Sequence, residues 1–351
     1  MEQTILRLCA ARLSAWYAEH FRPLPWRTAP TPYAVWVSEI MLQQTRIEAV
    51  RPYYARFMRR LPDVASLAAV PEDELLKLWE GLGYYSRARH LRDAAQILCA
   101  QYGGELPADY DRLRALPGIG DYTAGAIASI AFGIPVPAVD GNVMRVLSRL
   151  TADDTDVLSS GAKAHFAQIA QQMMPEDMPG RFNQALMELG ETVCLPNARP
   201  LCEQCPLGDF CLASAGDLTE QLPVRSPKKP RRVEERTVAV VLDSARRVLL
   251  HKRPATGLLA GLWELPNAPM GQSPLPPELT TVCRPTADTL PDGKHLFTHI
   301  EWRMHGIRLD APDISLPDGY VWATEAGLRE QYALPSAFRT YATLLPAMMR
   351  E

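Results

Sequence analysis

Four crowded cysteines and two isolated carboxylates are the residues of this 351-residue chain best suited to chemistry. Cys194, Cys202, Cys205 and Cys211 follow the spacing Cys-x7-Cys-x2-Cys-x5-Cys. Four soft thiolates at that density can close around one tetrahedral metal or a cubane cluster. Structural zinc sites often pair two Cys-x-x-Cys knuckles, and only Cys202/Cys205 has that form here. The unequal loops therefore suit an iron–sulfur cluster, with zinc as the competing occupant. The remaining Cys9, Cys99 and Cys283 read as buried apolar residues.

Glu39 sits in Tyr33–Leu42, YAVWVSEIML, a stretch whose polar positions are Ser38 and Glu39. On a helix it neighbours Trp36 and Leu42, and a partly apolar pocket would raise its pKa and suit it to donate a proton. Taken alone, a surface glutamate is the plainer reading. Gln43, Gln44 and Thr45 follow, and the two amides have the reach to touch base edges; a solvated amide is the plainer reading of Gln44. Asp140, in VDGNVMRVL, opens a helix as its N-cap. Backbone N–H bonds and the helix dipole are expected to hold it ionised, with its pKa lowered. A raised glutamate and a lowered aspartate are the split pair used in glycosidic-bond hydrolysis. About 100 residues separate them, so the sequence leaves open whether they meet.

Leu116-Pro117-Gly118-Ile119-Gly120 is a tight turn between helices. Its glycines allow a close backbone approach, and the helix that follows offers unpaired N–H groups to an anion such as a DNA phosphate. The competing reading is a packing turn between core helices.

The elements that must position these groups divide the chain. Residues 1–215 read as nearly all helix, with apolar residues at helical spacing and breaks at Pro and Gly. Thr31-Pro32, Leu61-Pro62-Asp63 and Val70-Pro71-Glu72 are helix starts. Ile134–Val139 must be extended. A linker over 216–236 includes RSPKKPRRVEER, with six basic and two acidic side chains, and reads as solvated and semi-stiff. From 237 to 351 the period switches to two. Thr237–Leu242 and Val248–Lys252 form a hairpin around Asp243–Arg247, and a helix at Ser336–Leu345 closes a separate α+β domain.

Composition bounds the function. Hydrophobic residues at 47% and charged residues at 22% exclude a disordered or fibrous chain. No apolar stretch is long enough to span a membrane and the N-terminus does not read as a signal peptide, so a reducing, cytosolic compartment is the default; a bacterial-type cytoplasmic protein and a monomer are the expectations for the whole chain. A net charge of −3 speaks weakly against nucleic acid. The average conceals local concentration, however. Arg51, Arg56, Arg59 and Arg60 are close together, as are Arg87, Arg89 and Arg92, and backbone amides can grip phosphate without net charge.

Taken together, VSEIMLQQT, GLGYYSRARHL, LPGIGDYTAGAI, VDGNVMRVL and the four cysteines resemble the MutY-type adenine DNA glycosylases over nearly the whole chain. The resemblance implies a multidomain protein: an all-α helix–hairpin–helix glycosylase domain with a 4Fe–4S cluster loop, then a Nudix-like α+β domain. It implies removal of adenine mispaired with 8-oxoguanine or guanine in double-stranded DNA, with the base flipped out of the helix. Glu39 matches the general acid and Asp140 the carboxylate that stabilises the sugar cation, with Asn142 orienting it. Gln44 matches the residue that fills the vacated space. Tyr84 matches the one wedged beside 8-oxoguanine, against a plainer reading of aromatic packing. Leu116, Gly118 and Gly120 belong to the DNA-gripping hairpin. Phe297-Thr298-His299 matches a Phe-Ser-His that reads 8-oxoguanine, against a plainer reading as a strand end.

Tyr122 stands where the related endonuclease III glycosylases carry a lysine that forms a Schiff base, and a phenol cannot make that imine. A monofunctional hydrolase is therefore expected. A glycosylase/lyase, a silent cluster-containing DNA-binding protein and a Nudix hydrolase are the alternatives. The last is disfavoured because no Glu-rich helix follows GLWELPN. Seven residues separate the first two cysteines where the family usually has six, and the extra one is expected to bulge from the loop holding Asn197 and Arg199, the latter a candidate phosphate contact.

Overall fold

The computed structural model describes residues 1–196, 198–227 and 230–350. Asn197 thus lies outside the described residues, as do Lys228 and Lys229 of the basic segment. The chain forms two compact units, one from residues 1–69 and 90–227, the other from 70–89 and 228–351.

Among the described residues the regular elements of the first unit are all helices, with Ile134–Val139 extended as expected. Thr31 caps helix Pro32–Leu42 by accepting from the Ala34 N–H, with Pro32 in the first turn. That helix is buried almost all round, which is why its sequence is a nearly unbroken apolar run. Helix Asp121–Phe132 is equally apolar and packs beside it, and Gly133 ends it with φ 67°. A core of Leu13, Val143, Leu147, Phe166, Phe182 and Leu186 joins four further helices. Helix Ile47–Arg60 buries Ile47, Val50, Tyr54 and Phe57, leaving Arg51, Arg56, Arg59 and Arg60 exposed on its other face.

The second unit is built on an eight-stranded mixed sheet, counted among the described residues. Its spine is a parallel pair, Arg232–Leu242 and Ile300–Asp310, in register from Arg232↔Ile300 to Leu242↔Asp310. Alternate residues of the first strand feed opposite cores. Val238, Val240 and Leu242 meet Trp302, Phe338 and Tyr341, whereas Ala239 and Val241 meet Leu249, Leu279 and Leu309. Burial on both faces explains why TVAVVL does not alternate. The expected hairpin forms, with Leu242 opposite Val248 and the turn closed by Asp243, which accepts from the Arg247 N–H at 2.7 Å.

Two expectations about this unit need correction. Arg232–Arg236, read as linker, opens the central strand, because these residues pair in parallel with Ile300–Met304, and Arg236 lays its guanidinium 4.5 Å over the Trp302 ring. The closing helix is three short turns, Ser336–Phe338, Arg339–Ala342 and Leu345–Met348, since Pro346 cannot continue a helical ladder.

Candidate active site

Glu39, Tyr122, Asp140 and Asn142, from three segments of the first unit, line one cavity of about 130 Å³. Glu39 projects from helix Pro32–Leu42 and is buried. Tyr122 lies in the first turn of helix Asp121–Phe132 and donates its Oη–H to Glu39 Oε2 at 2.6 Å. Burial, reinforced by the charge of Asp140, pushes the Glu39 carboxyl up to about 7, against the lowering effects of the Tyr122 bond and of Arg27. A carboxyl so placed is half-protonated near neutral pH and can give a proton to a ring nitrogen.

Asp140 caps helix Gly141–Thr151. Its Oδ1 accepts from the Asn142 and Val143 N–H groups at 2.9 and 2.8 Å, and its Oδ2 from Asn142 Nδ2 at 3.2 Å. The expected geometry is present, but the expected electrostatic result is reversed. Burial outweighs these bonds and the nearby Arg145, and holds the Asp140 carboxyl above its usual range. Propensity could foresee the cap; how little water reaches it depends on packing distant in sequence.

The extended run before Asp140 is pinned by buried Asn183, whose Oδ1 accepts from Ala138 N–H at 3.1 Å and whose Nδ2 donates to Val136 O at 2.9 Å. Gly125 lets the run approach: a Cβ there would stand 2.4 Å from Pro137 O. Arg145 continues the chain of contacts. Its Nη2 donates to Asn142 Oδ1 at 2.9 Å and its Nε to Cys194 O at 2.8 Å.

Four polar or aromatic cavity residues escaped the sequence reading: Trp26 and Arg27 on the short helix Pro25–Thr28, and Gln184 and Glu191 on helix Pro179–Thr192. A signal for the last two was available. Gln184, Glu188 and Glu191 recur at i, i+4 and i+7 as a polar stripe along a largely buried helix, with Glu188 buried, Gln184 half-buried and Glu191 exposed.

A larger cleft of about 810 Å³ adjoins the cavity and shares Glu39, Tyr122 and Asp140 with it. Gln43, Gln44, Gly120 and Lys163 line that cleft. Gln44 is exposed and takes φ 59°, a left-handed conformation that non-glycine residues adopt at some cost.

In the hairpin, Gly118 has φ 75°, and a Cβ there would meet His90 Cβ at 2.6 Å. Leu116 and Ile119 are buried beneath the turn. The first helical bond of Asp121–Phe132 runs from Ala124 N to Gly120 O, so the three preceding N–H groups lie outside the ladder. Asp121 places a carboxylate at that terminus, partly offset by Arg114 Nη1 at 3.3 Å.

In the second unit Tyr84 is 48% exposed with φ 47°. Phe297, Thr298 and His299 form the turn between strands Gly293–Leu296 and Ile300–Asp310. Phe297 packs edge-on against Trp302 at 5.0 Å, while Thr298 and His299 are exposed. Two arginines expected to meet phosphate are committed elsewhere. Arg87 is buried, donates to Leu82 O and Gly83 O, and has its pKa lowered to about 10 by burial. Arg89 bonds Glu72 Oε1 at 2.7 Å and also Ala260 O.

Cys194, Cys202, Cys205 and Cys211 line one apolar cavity. Arg149 Nη1 donates to Cys194 Sγ at 3.3 Å. Burial pushes the Cys205 thiol up to about 12, so four thiolates there need a cationic centre to offset them. Among the described residues no three His, Cys, Asp or Glu side chains converge as ligands of a single ion. Of the other thiols, Cys9 and Cys283 are buried as expected, but Cys99 is exposed on the outer face of helix Ser86–Gln101.

A helical unit with a tight hairpin and a buried acid beside a cleft is the architecture of base-excision repair proteins. Residues 37–172 match the HhH-GPD superfamily of base excision DNA repair proteins, and residues 237–344 match a NUDIX domain. A thermostable thymine-DNA glycosylase superposes with TM-score 0.56 at 25% identity, over 60% of this chain and 97% of that one. A trapped endonuclease III–DNA covalent intermediate superposes with TM-score 0.53 at 25% identity, over 62% and 99%. The adenine DNA glycosylase of Mus musculus is 37% identical over 90% of this chain and 73% of its own length; that of Homo sapiens is 36% identical over 94% and 73%. The chain belongs to the adenine DNA glycosylases, hydrolases of N-glycosidic bonds in base excision repair. Among the described residues no helix is long and apolar enough to cross a membrane.

Proposed function

We propose that this protein is a monofunctional glycosylase, acting as a monomer on adenine opposite 8-oxoguanine or guanine in duplex DNA. The observation that carries the reading is the 2.6 Å bond from Tyr122 Oη to Glu39 Oε2, inside a cavity that Asp140 also lines. Glu39 protonates N7 of the flipped adenine, making the base a leaving group. As the C1′–N9 bond breaks, positive charge builds on the sugar, and Asp140, oriented by Asn142, stabilises it. A cation beside Asp140 favours its ionised form, which counters the effect of burial. Water then adds to the sugar carbon, and the proton it sheds returns Glu39 from carboxylate to acid. Tyr122 holds Glu39 by a hydrogen bond and has no amine with which to attack, so the strand is left uncut.

Gln44 fills the space left by the adenine, and its strained backbone supports a role outside packing. Leu116, Gly118 and Gly120 shape the hairpin that grips the phosphate. Tyr84, Phe297, Thr298 and His299 read the opposite base. Cys194, Cys202, Cys205 and Cys211 hold a 4Fe–4S cluster, which cross-links their loop when bound. Nudix hydrolysis lacks support: from Leu265 to Cys283 the one acidic residue is Glu278. Glu264 is tied to Arg253 and Asn267 at 2.6 and 2.8 Å.

The test is base release from a duplex with adenine opposite 8-oxoguanine. Strand cleavage that requires alkali is expected. Cleavage without alkali would make the protein a lyase, and tight binding without release would make it a silent binder.

A further inference from the structure

Glu188 is 1% exposed and lies behind the wall of the active-site cavity, not in it. It accepts from Arg27 Nη1 at 2.8 Å and from Arg22 Nη2 at 2.9 Å. Arg22 Nη2 also donates to Glu191 Oε2 at 2.5 Å. Arg27 is itself part of the wall. Its guanidinium lies 5.9 Å from the Tyr17 ring, and Tyr17 Oη donates to Gln184 Oε1, another wall group, at 2.8 Å. One buried carboxylate therefore fixes the cation that faces the reaction chamber.

We infer that Glu188 is a positioning residue for Glu39: it holds Arg27 against the cavity wall and offsets its charge, so that the acid faces an ion pair in place of a bare guanidinium. This rests on Glu39 being the proton donor. The charged or titratable groups facing Glu39 are Tyr122 from helix Asp121–Phe132, Asp140 from the start of helix Gly141–Thr151, Arg27 from helix Pro25–Thr28 and Glu191 from helix Pro179–Thr192. Of these four, only Arg27 is a cation. In a buried cavity of low effective dielectric, an uncompensated cation would favour the carboxylate form of Glu39 and so remove the proton it has to give. Arg27 already acts in that direction on Glu39, against the larger effect of burial.

The experiment is the single-turnover rate of adenine release across pH, on the same mispaired duplex, for the full chain and its variants. Release falls as pH rises through the pKa of Glu39. In Glu188→Gln this limb is expected to move to lower pH by about half a unit or more, so that release near pH 8 drops several-fold and recovers in acid. In the double variant Glu188→Gln/Arg27→Gln the cation is gone, and the limb is expected to return to the wild-type position or beyond it. Glu188→Gln leaves two arginines short of a partner and could fail to fold. Glu188→Gln/Arg22→Gln removes one of those charges, leaves Arg27 bare, and is expected to show the same acidic shift. A stationary limb in either folded variant overturns the inference, as does an equally acidic limb in the Arg27 double variant. Wild-type protein that releases no adenine would instead defeat the assignment of Glu39, which keeps the two failures apart.

Discussion

Tyr84 Oη and Thr298 Oγ1 lie 3.3 Å apart across 214 positions of sequence. The Arg87 guanidinium, 5.7 Å from the Tyr84 ring, supports the tyrosine in its left-handed conformation. Thr298→Val keeps the shape and removes the hydroxyl. A hydrogen bond of this kind contributes about 1 kcal/mol, so the preference for 8-oxoguanine over guanine opposite the adenine is expected to fall roughly threefold to tenfold. Competition binding measures it. Tyr84→Phe should do the same, and the double variant should lose little more than either alone.

Glu39→Gln is expected to reduce adenine release by about 10²- to 10⁴-fold with DNA binding retained. The same change should stabilise the fold in mild alkali. The Glu39 carboxyl rises from 4.5 to about 7 on folding, so the native state favours the protonated form. Stability is full below the unfolded value and is lost as pH rises through the folded one. Near pH 8 the wild type therefore carries a penalty on the order of 3 kcal/mol that the amide lacks. Melting curves should show the variant higher near pH 8, with the gap closing towards pH 4.5.

Tyr122→Phe removes the donor that lowers Glu39. The alkaline limb of the rate profile should move to higher pH, opposite to the shift expected from an unpaired Arg27. A limb moving to lower pH would show that the phenol acts on Glu39 by some other means.

Arg145→Met would leave Asn142 Oδ1, Gly190 O and Cys194 O without the donors that now lie 2.9, 2.6 and 2.8 Å away. Buried acceptors left unmade cost about 1–3 kcal/mol each. Slower base release and a lower melting temperature are expected together, with iron content measured alongside to show whether the loop of Cys194 keeps its ligand.

Gly118→Ala combines a left-handed φ with a 2.6 Å approach to His90 Cβ. A loss on the order of 1–3 kcal/mol is expected. If the hairpin grips phosphate as proposed, DNA binding should weaken by the same factor for matched and mispaired duplexes, because phosphate contacts carry no sequence information.

What the sequence disclosed was local. The cysteines could be read because all four share one short stretch, and Glu39 because it stands in the contiguous motif VSEIMLQQT, with a mostly apolar stretch before it and amides after it. The pairing of Arg27 with Glu188 was not legible: each alone looks like a solvated charge, and the bond joins helices about 160 residues apart in sequence. Burial is a tertiary property, and it overturned the expected direction for Asp140, took Arg87 out of the basic surface and left Cys99 outside the core. The strand beginning at Arg232 was hidden for a related reason. Its first residues are charged, and their pairing with Ile300–Met304 is what makes them a strand.

The grouping of residues 70–89 with the C-terminal sheet bears on how this protein can be dissected. Lys77 Nζ donates to Leu328 O and Tyr332 O, Glu80 Oε1 accepts from the Leu334 N–H, and Lys252 Nζ reaches Asp73 Oδ1 at 2.8 Å. A protease cutting in the basic segment would therefore nick the chain without freeing a self-sufficient fragment. A recombinant piece starting there would be missing twenty residues of its own fold, Tyr84 among them. A minimal version of this unit has to be spliced from two distant stretches of the gene.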